Sequence, residues 1–183
     1  MANQNQIYKE LELTYREGKD HWGKINVSAV NRDIIALVKL VPHKTILEVG
    51  CGKGTLTKDL VKIADKVTAI DVSPTAIHAV KQVAPQAESL IASLEDFTSP
   101  EVFDVIICAE VLYYIKDRQK AIRKLRELGR YLVTCHFIFS PRQVGLGSIM
   151  YEILLLQFKM IKIIPYFKLR RLELNFRILR KLS

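Results

Sequence analysis

The sequence predicts an α/β domain built on an open, mostly parallel sheet with helices on both faces. Three observations predict it. Short apolar runs alternate with amphipathic stretches between residues 44 and 137. Each run is continuously apolar, as a strand covered on both faces requires. Near the C-terminal end, two strand candidates at 168–174 and 177–182 are separated only by Asn175 and Phe176. A link that short cannot carry a parallel crossover, so this pair is predicted to form an antiparallel hairpin.

The elements follow in order. Residues 5–18 place Ile7, Leu11 and Tyr15 at helical spacing. Residues 27–40 predict a second helix, with Ser28 as N-cap and Pro42 as its stop. KTILEV (44–49) is a buried strand that ends at Gly50. TLTKDLVKIA is a helix, KVTAID (66–71) a strand, and Ser73-Pro74 opens a helix that runs to Val83. SLIASL (89–94) and FDVIICA (103–109) are strands, 117–128 is a helix, and YLVTCHF (131–137) is a strand. Residues 146–160 read as an apolar helix packed on the sheet.

Composition bounds the function. A chain of 183 residues suits one domain. Its N-terminus lacks the basic-then-apolar pattern of a secretory signal. Cys51, Cys108 and Cys135 form no CxxC pair and no metal pattern with the histidines, so no metal site is expected. They read as buried thiols in a reducing cytoplasm. The stretch 148–167 is close to membrane-span length, but Glu152, Lys159 and Lys162 interrupt it and Pro165 ends it. A span is not expected; an apolar surface with basic flanks on a membrane is the alternative. Residues 159–183 carry +7 of the net charge of +9, a patch able to attract nucleic acid. A solvated face is the simpler reading of that patch.

The motif that carries chemistry is Glu48-Val-Gly50-Cys-Gly52-Lys-Gly54, at the junction of the first strand and the next helix. Glycines there let the chain turn sharply and let a ligand approach the backbone. The third glycine of a dinucleotide fingerprint would stand at position 55, which is Thr. The loop therefore suits a ligand with no pyrophosphate to seat. Asp71 closes the second strand, where a carboxylate can accept both hydroxyls of a ribose.

ILEVGCGKG resembles motif I of the class I, Rossmann-like methyltransferases that use S-adenosylmethionine (SAM), and AIDVSP resembles their following acidic motif. The resemblance spans about residues 27–183 and implies a seven-stranded sheet closed by an antiparallel hairpin. Residues 1–26 are left as an N-terminal helix and lid. Asp20-His-Trp-Gly23 and Ala109-Glu-Val-Leu-Tyr-Tyr-Ile115 are similar to segments of the NodS-like group, with His21 and Ala109 departing from the usual Pro and Ser. That group includes enzymes that methylate an amine on a sugar.

By resemblance, Glu48 and the backbone of Gly50, Cys51, Gly52 and Gly54 lie near the methionine part of SAM. Asp71 takes the ribose and Val72 flanks the adenine. Ser93 and Leu94 stand where the family has an acid and an apolar residue at the adenine. Ser93 replaces the acid, which shifts recognition toward Glu95 or Asp96. Ala109 and Glu110 approach the sulfonium. Ligands of open α/β sheets bind beyond the carboxyl ends of the strands. Tyr113, Tyr114 and His136 are therefore the catalytic candidates at the acceptor, and Tyr15, His21 and Trp22 its candidate walls. The expected activity is methylation of a small-molecule amine or hydroxyl, an amino sugar included, with S-adenosylhomocysteine (SAH) as product. A nucleic-acid or protein methyltransferase, or a SAM-binding regulator without turnover, are the alternatives.

Overall fold

A computed structural model describes residues 3–19, 27–138, 158–169 and 172–181. Among these, helices α1 (Gln4–Arg16) and α2 (Val27–Val38) precede β1 (Thr45–Val49). Then come α3 (Thr57–Leu60), β2 (Lys66–Asp71), α4 (Pro74–Val83), β3 (Glu88–Ile91), β4 (Phe103–Ala109), α5 (Arg118–Leu128) and β5 (Gly129–Ile138). Strands β6 (Phe158–Leu169) and β7 (Leu172–Lys181) follow. The strand order is β3-β2-β1-β4-β5-β7-β6. The five strands from β3 to β5 are parallel, and β7 pairs antiparallel with β5 and with β6.

Alternating side chains of the central strands feed two cores, one on each face. Leu47, Ile106 and Cys108 pack with Ile122, Leu125 and Leu128 of α5. Ile46, Val105 and Ile107 pack with Ile34, Leu37 and Val38 of α2. All these side chains are buried, as the continuously apolar runs require. Asp117 caps α5 through a hydrogen bond from the Lys120 amide, and Ser73 caps α4 through one from Ala76.

The C-terminal part differs from the expectation. The parallel body has five strands, and the hairpin linked through Asn175 and Phe176 does not form. Both residues lie inside β7, with Asn175 opposite His136 and Phe176 opposite Cys135. The pattern there is apolar at alternate positions on both sides of Asn175, so one strand of ten residues satisfies it as well as two short ones. Residues 158–160, expected at the end of a helix, open β6 instead. Their β-branched and aromatic neighbours Phe158, Ile161, Ile163 and Ile164 favour the extended chain. The stretch 146–157 lies outside the described residues, as do His21 and Trp22. No helix among the described residues is long and apolar enough to cross a membrane. The three cysteines are buried and form no disulfide.

Candidate functional site

β1 pairs with β2 on one side and β4 on the other, so the chain reverses its direction of strand addition between β1 and β4. Loops after the two strands diverge at such a point and leave a crevice. Here a cleft of about 50 Å³ opens, lined by Val49, Gly50, Asp71 and Val72 with Leu94, Glu95, Val111 and Tyr114.

The glycine loop forms one wall. Gly50, Gly52 and Gly54 all have positive φ, at 70°, 52° and 80°. A Cβ on Gly50 would run into the Val111 side chain across the cleft. A Cβ on Gly54 would lie 2.9 Å from Val83 and 3.2 Å from Val80 of α4. The first glycine therefore keeps the cleft open, and the third lets the loop pack on α4. Amides of Gly50 and Cys51 both donate to the Ile70 carbonyl, which ties the loop to the end of β2.

Asp71 sits beside that tie and is 6% exposed. One carboxylate oxygen accepts from the Gly52 amide at 2.9 Å and the other from the Ser73 amide at 2.9 Å. Burial raises its pKa above the usual carboxylate value, and these amides offset part of the rise. Asp71 thus braces the Ser73 turn, as a helix cap would. It also faces the cleft, which a cap alone need not do. Glu48 points to the opposite side of β1 and is buried, accepting a 2.6 Å hydrogen bond from the Thr57 hydroxyl. Burial pushes its carboxyl up to about 8, and the nearby charge of Asp71 adds to the rise. Glu48 thus clamps the loop to α3 and does not line the cleft.

The remaining candidates divide. Val72, Leu94 and Glu95 line the cleft. Ser93 does not: its hydroxyl donates to the Asp96 carboxylate at 2.7 Å and accepts from the Asp96 amide at 3.1 Å, closing the turn after β3. That turn occupies Asp96 as well and leaves Glu95 as the carboxylate at the cleft. Ala109 packs into the α2-side core, and Val111 takes the place in the cleft expected of Ala109 and Glu110. Glu110 has φ 60°, a left-handed conformation that is rare for a residue with a Cβ. Its carboxylate accepts from the Tyr113 hydroxyl at 2.7 Å and from the Cys135 thiol at 3.5 Å. Burial and this carboxylate hold the Tyr113 phenol firmly protonated. Tyr114 lines the cleft while Tyr113 turns to Glu110. His136 is described only by its backbone, in β5.

Helix α1 brings Gln4, Tyr8 and Glu12, which sequence reasoning missed, alongside Tyr15, which it named. Gln4, Tyr8, Glu12 and Tyr15 recur at helical spacing on one face. The Tyr8 hydroxyl lies 3.1 Å from both oxygens of Glu95, and its side chain lines the cleft. Glu12 accepts from the Ser73 hydroxyl at 2.5 Å and from the Thr75 hydroxyl at 2.7 Å. Tyr15 lies against the glycine loop, its hydroxyl 3.0 Å from the position of a Cβ on Gly52. The sequence signal was the polar and aromatic stripe itself, masked by the weaker apolar stripe of Ile7 and Leu11.

Residues 47–131 match the family described as a methyltransferase domain. Nodulation protein S of Rhizobium tropici is 37% identical over 103 residues, which cover 54% of this chain and 43% of that protein. The mitochondrial ubiquinone biosynthesis O-methyltransferase of Schizosaccharomyces pombe is 34% identical over 91 residues, covering 46% of this chain and 33% of the relative. The chain thus spans less than half the length of these curated relatives. In fold it is similar to the crystal structure of N-methyltransferase NodS from Bradyrhizobium japonicum WM9 in complex with SAH. There the TM-score is 0.79 at 20% identity, over 97% of this chain and 99% of that one. In its glycine loop, the acid ending β2 and the family match over residues 47–131, this chain is similar to the class I, Rossmann-like SAM-dependent methyltransferase domains. Within that class its sequence and fold are NodS-like.

Proposed function

We propose that the protein transfers the methyl group of SAM to an amine or hydroxyl of a small molecule, with SAH as product. The observation that carries the reading is the placement of Asp71. Its carboxylate is fixed by the Gly52 and Ser73 amides at a cleft walled by the glycine loop, where both are set to hold an adenosine. The residues fit that group. Glycines leave backbone exposed where a Cβ would intrude, Asp71 offers acceptors for the ribose hydroxyls, and Val72 and Leu94 supply an apolar bed for a base. Glu95 supplies the carboxylate for an exocyclic amine. When bound, SAM supplies an activated methyl group on a sulfonium.

The chain's own residues then have to align the acceptor and exclude water, which together can lower a barrier by roughly 7–11 kcal/mol. Val111, Tyr114 and Ile115 form the apolar rim after β4 that can do this. Tyr113 keeps its proton and so orients Glu110 rather than serving as a base. His136, one strand away in β5, is the proposed proton acceptor when the acceptor arrives protonated. The NodS and ubiquinone relatives carry N- and O-methyltransferase names, which supports the small-molecule class and leaves the methylated atom to experiment.

The test is SAH formation from SAM over a panel of amino sugars, simple amines, phenols and RNA. Turnover is expected with an amine- or hydroxyl-bearing small molecule. Turnover with RNA alone would contradict the reading, and SAM binding without turnover across a broad panel would favour a regulator.

A further inference from the structure

A groove of about 410 Å³ runs between α2 and the segment formed by α3 and the turn after it. It shares no lining residue with the cofactor cleft. On α2, Asn31, Arg32 and Ile35 line it at helical spacing. Opposite them stand Lys58, Asp59, Lys62 and Ile63. Asn31 ties the two walls together: it is buried, and its side-chain amide donates to the Thr55 carbonyl at 2.9 Å. The Lys58 amide in turn donates to the Gly54 carbonyl at 3.1 Å, which fixes the second wall to the end of the glycine loop. The groove is thus preformed, and its volume falls in the range of roughly 300–1,000 Å³ found for small-molecule sites.

The lining says what class of ligand fits. Ile35 and Ile63 pack against the α2-side core and give the groove an apolar surface. Three cations and one carboxylate surround it. The Lys62 ammonium lies 2.7 Å from the Asp59 carboxylate, so that pair compensates itself. Arg32 and Lys58 are exposed, and no carboxylate of the described residues pairs with either. Two uncompensated positive charges beside an apolar surface match a dianion that carries an apolar part. A phosphate monoester bears a charge of about −1.5 to −2 at pH 7. The planar guanidinium fork also fits two of its oxygens at once. A sulfate ester or a carboxylate brings a single charge and leaves one cation unmatched.

We propose that the groove between α2 and α3 is a second ligand site, which binds a small organic phosphate monoester. Arg32 and Lys58 hold the phosphate, and Ile35 and Ile63 carry the apolar part. The site stands apart from the cofactor cleft, so its test does not depend on what that cleft takes. Both cations are exposed, so water screens each contact and each contributes a modest factor to affinity.

The test is calorimetric titration with phenyl phosphate, phenyl sulfate and inorganic phosphate at constant ionic strength. It compares the wild type with Arg32→Gln, Lys58→Gln and, as a control, Lys81→Gln on α4 outside the groove. Phenyl phosphate should bind the wild type, and phenyl sulfate and inorganic phosphate should each bind about threefold or more weaker. Arg32→Gln and Lys58→Gln should each weaken phenyl phosphate by about threefold or more, with denaturation midpoints like the wild type's. Lys81→Gln should leave its affinity within about twofold, and saturating SAH should not displace it. Absence of binding, or equal affinity for phenyl sulfate, would overturn the proposal. Equal weakening by Lys81→Gln would also overturn it, by showing attraction to the net charge of +9 rather than to a site. Displacement by SAH would do the same, by placing the probe in the cofactor cleft.

Discussion

Single residues decide what this site can hold, and Asp71 decides most. Two backbone amides fix its carboxylate while burial works against its charge, so the group is held in place at a cost that a ligand contact can offset. Asp71→Ala should weaken SAM by about 1–3 kcal/mol, as loss of a charge-assisted hydrogen bond does. Calorimetry reads this directly, and a circular dichroism spectrum like the wild type's would separate it from unfolding. Glu48 makes a different prediction. Its carboxyl is pushed up to about 8, above its value in the unfolded chain, so the fold binds this proton more tightly. The stability that gives is complete below the ordinary carboxylate range and is lost as pH rises through about 8. Glu48→Gln stays neutral and can still accept from Thr57. Its Tm should fall less than the wild type's between about pH 5 and about pH 9, and equal slopes would show that Glu48 titrates normally.

At the scale of elements, the loop and its flanking helices act as one unit. Gly54 has φ 80°, and a Cβ there would lie 3.2 Å from Val80 and 2.9 Å from Val83 of α4. Gly54→Ala should destabilise the protein by about 1–3 kcal/mol through strain and overpacking. Chemical denaturation should show it as a lower midpoint. Gly52→Val should act on binding instead, because a branched side chain there meets the Tyr15 hydroxyl and resists φ 52°. Its SAM affinity should be lost while its denaturation midpoint falls less than that of a core substitution. The contrast separates a packing glycine from a ligand glycine within one motif.

Over the whole molecule, the parallel sheet was legible because its strands are buried on both faces and spell that out as unbroken apolar runs. The bounds of β2 and β4 follow directly from KVTAID and FDVIICA. The end of the chain was not legible in the same way. An alternating apolar pattern around Asn175 fits one long strand or two short ones, and only pairing with β5 and β6 decides between them. The cofactor loop could be read because backbone conformation constrains it to glycine. Ser93 misled because its position in the motif was right while its hydroxyl was spent on Asp96, a local hydrogen bond that spacing does not reveal. The Gln4, Tyr8 and Glu12 stripe of α1 was missed because partners such as Glu95, Ser73 and Thr75 lie between 61 and 87 residues away.

All of this depends on what the cleft binds. The most direct test is calorimetric titration of the wild type and Asp71→Ala with SAM, SAH and NAD in parallel. The account predicts binding of SAM and SAH by the wild type, weaker binding of both by the variant, and no heat with NAD. Binding of NAD alone, or SAM affinity unchanged by loss of the Asp71 carboxylate, would contradict it.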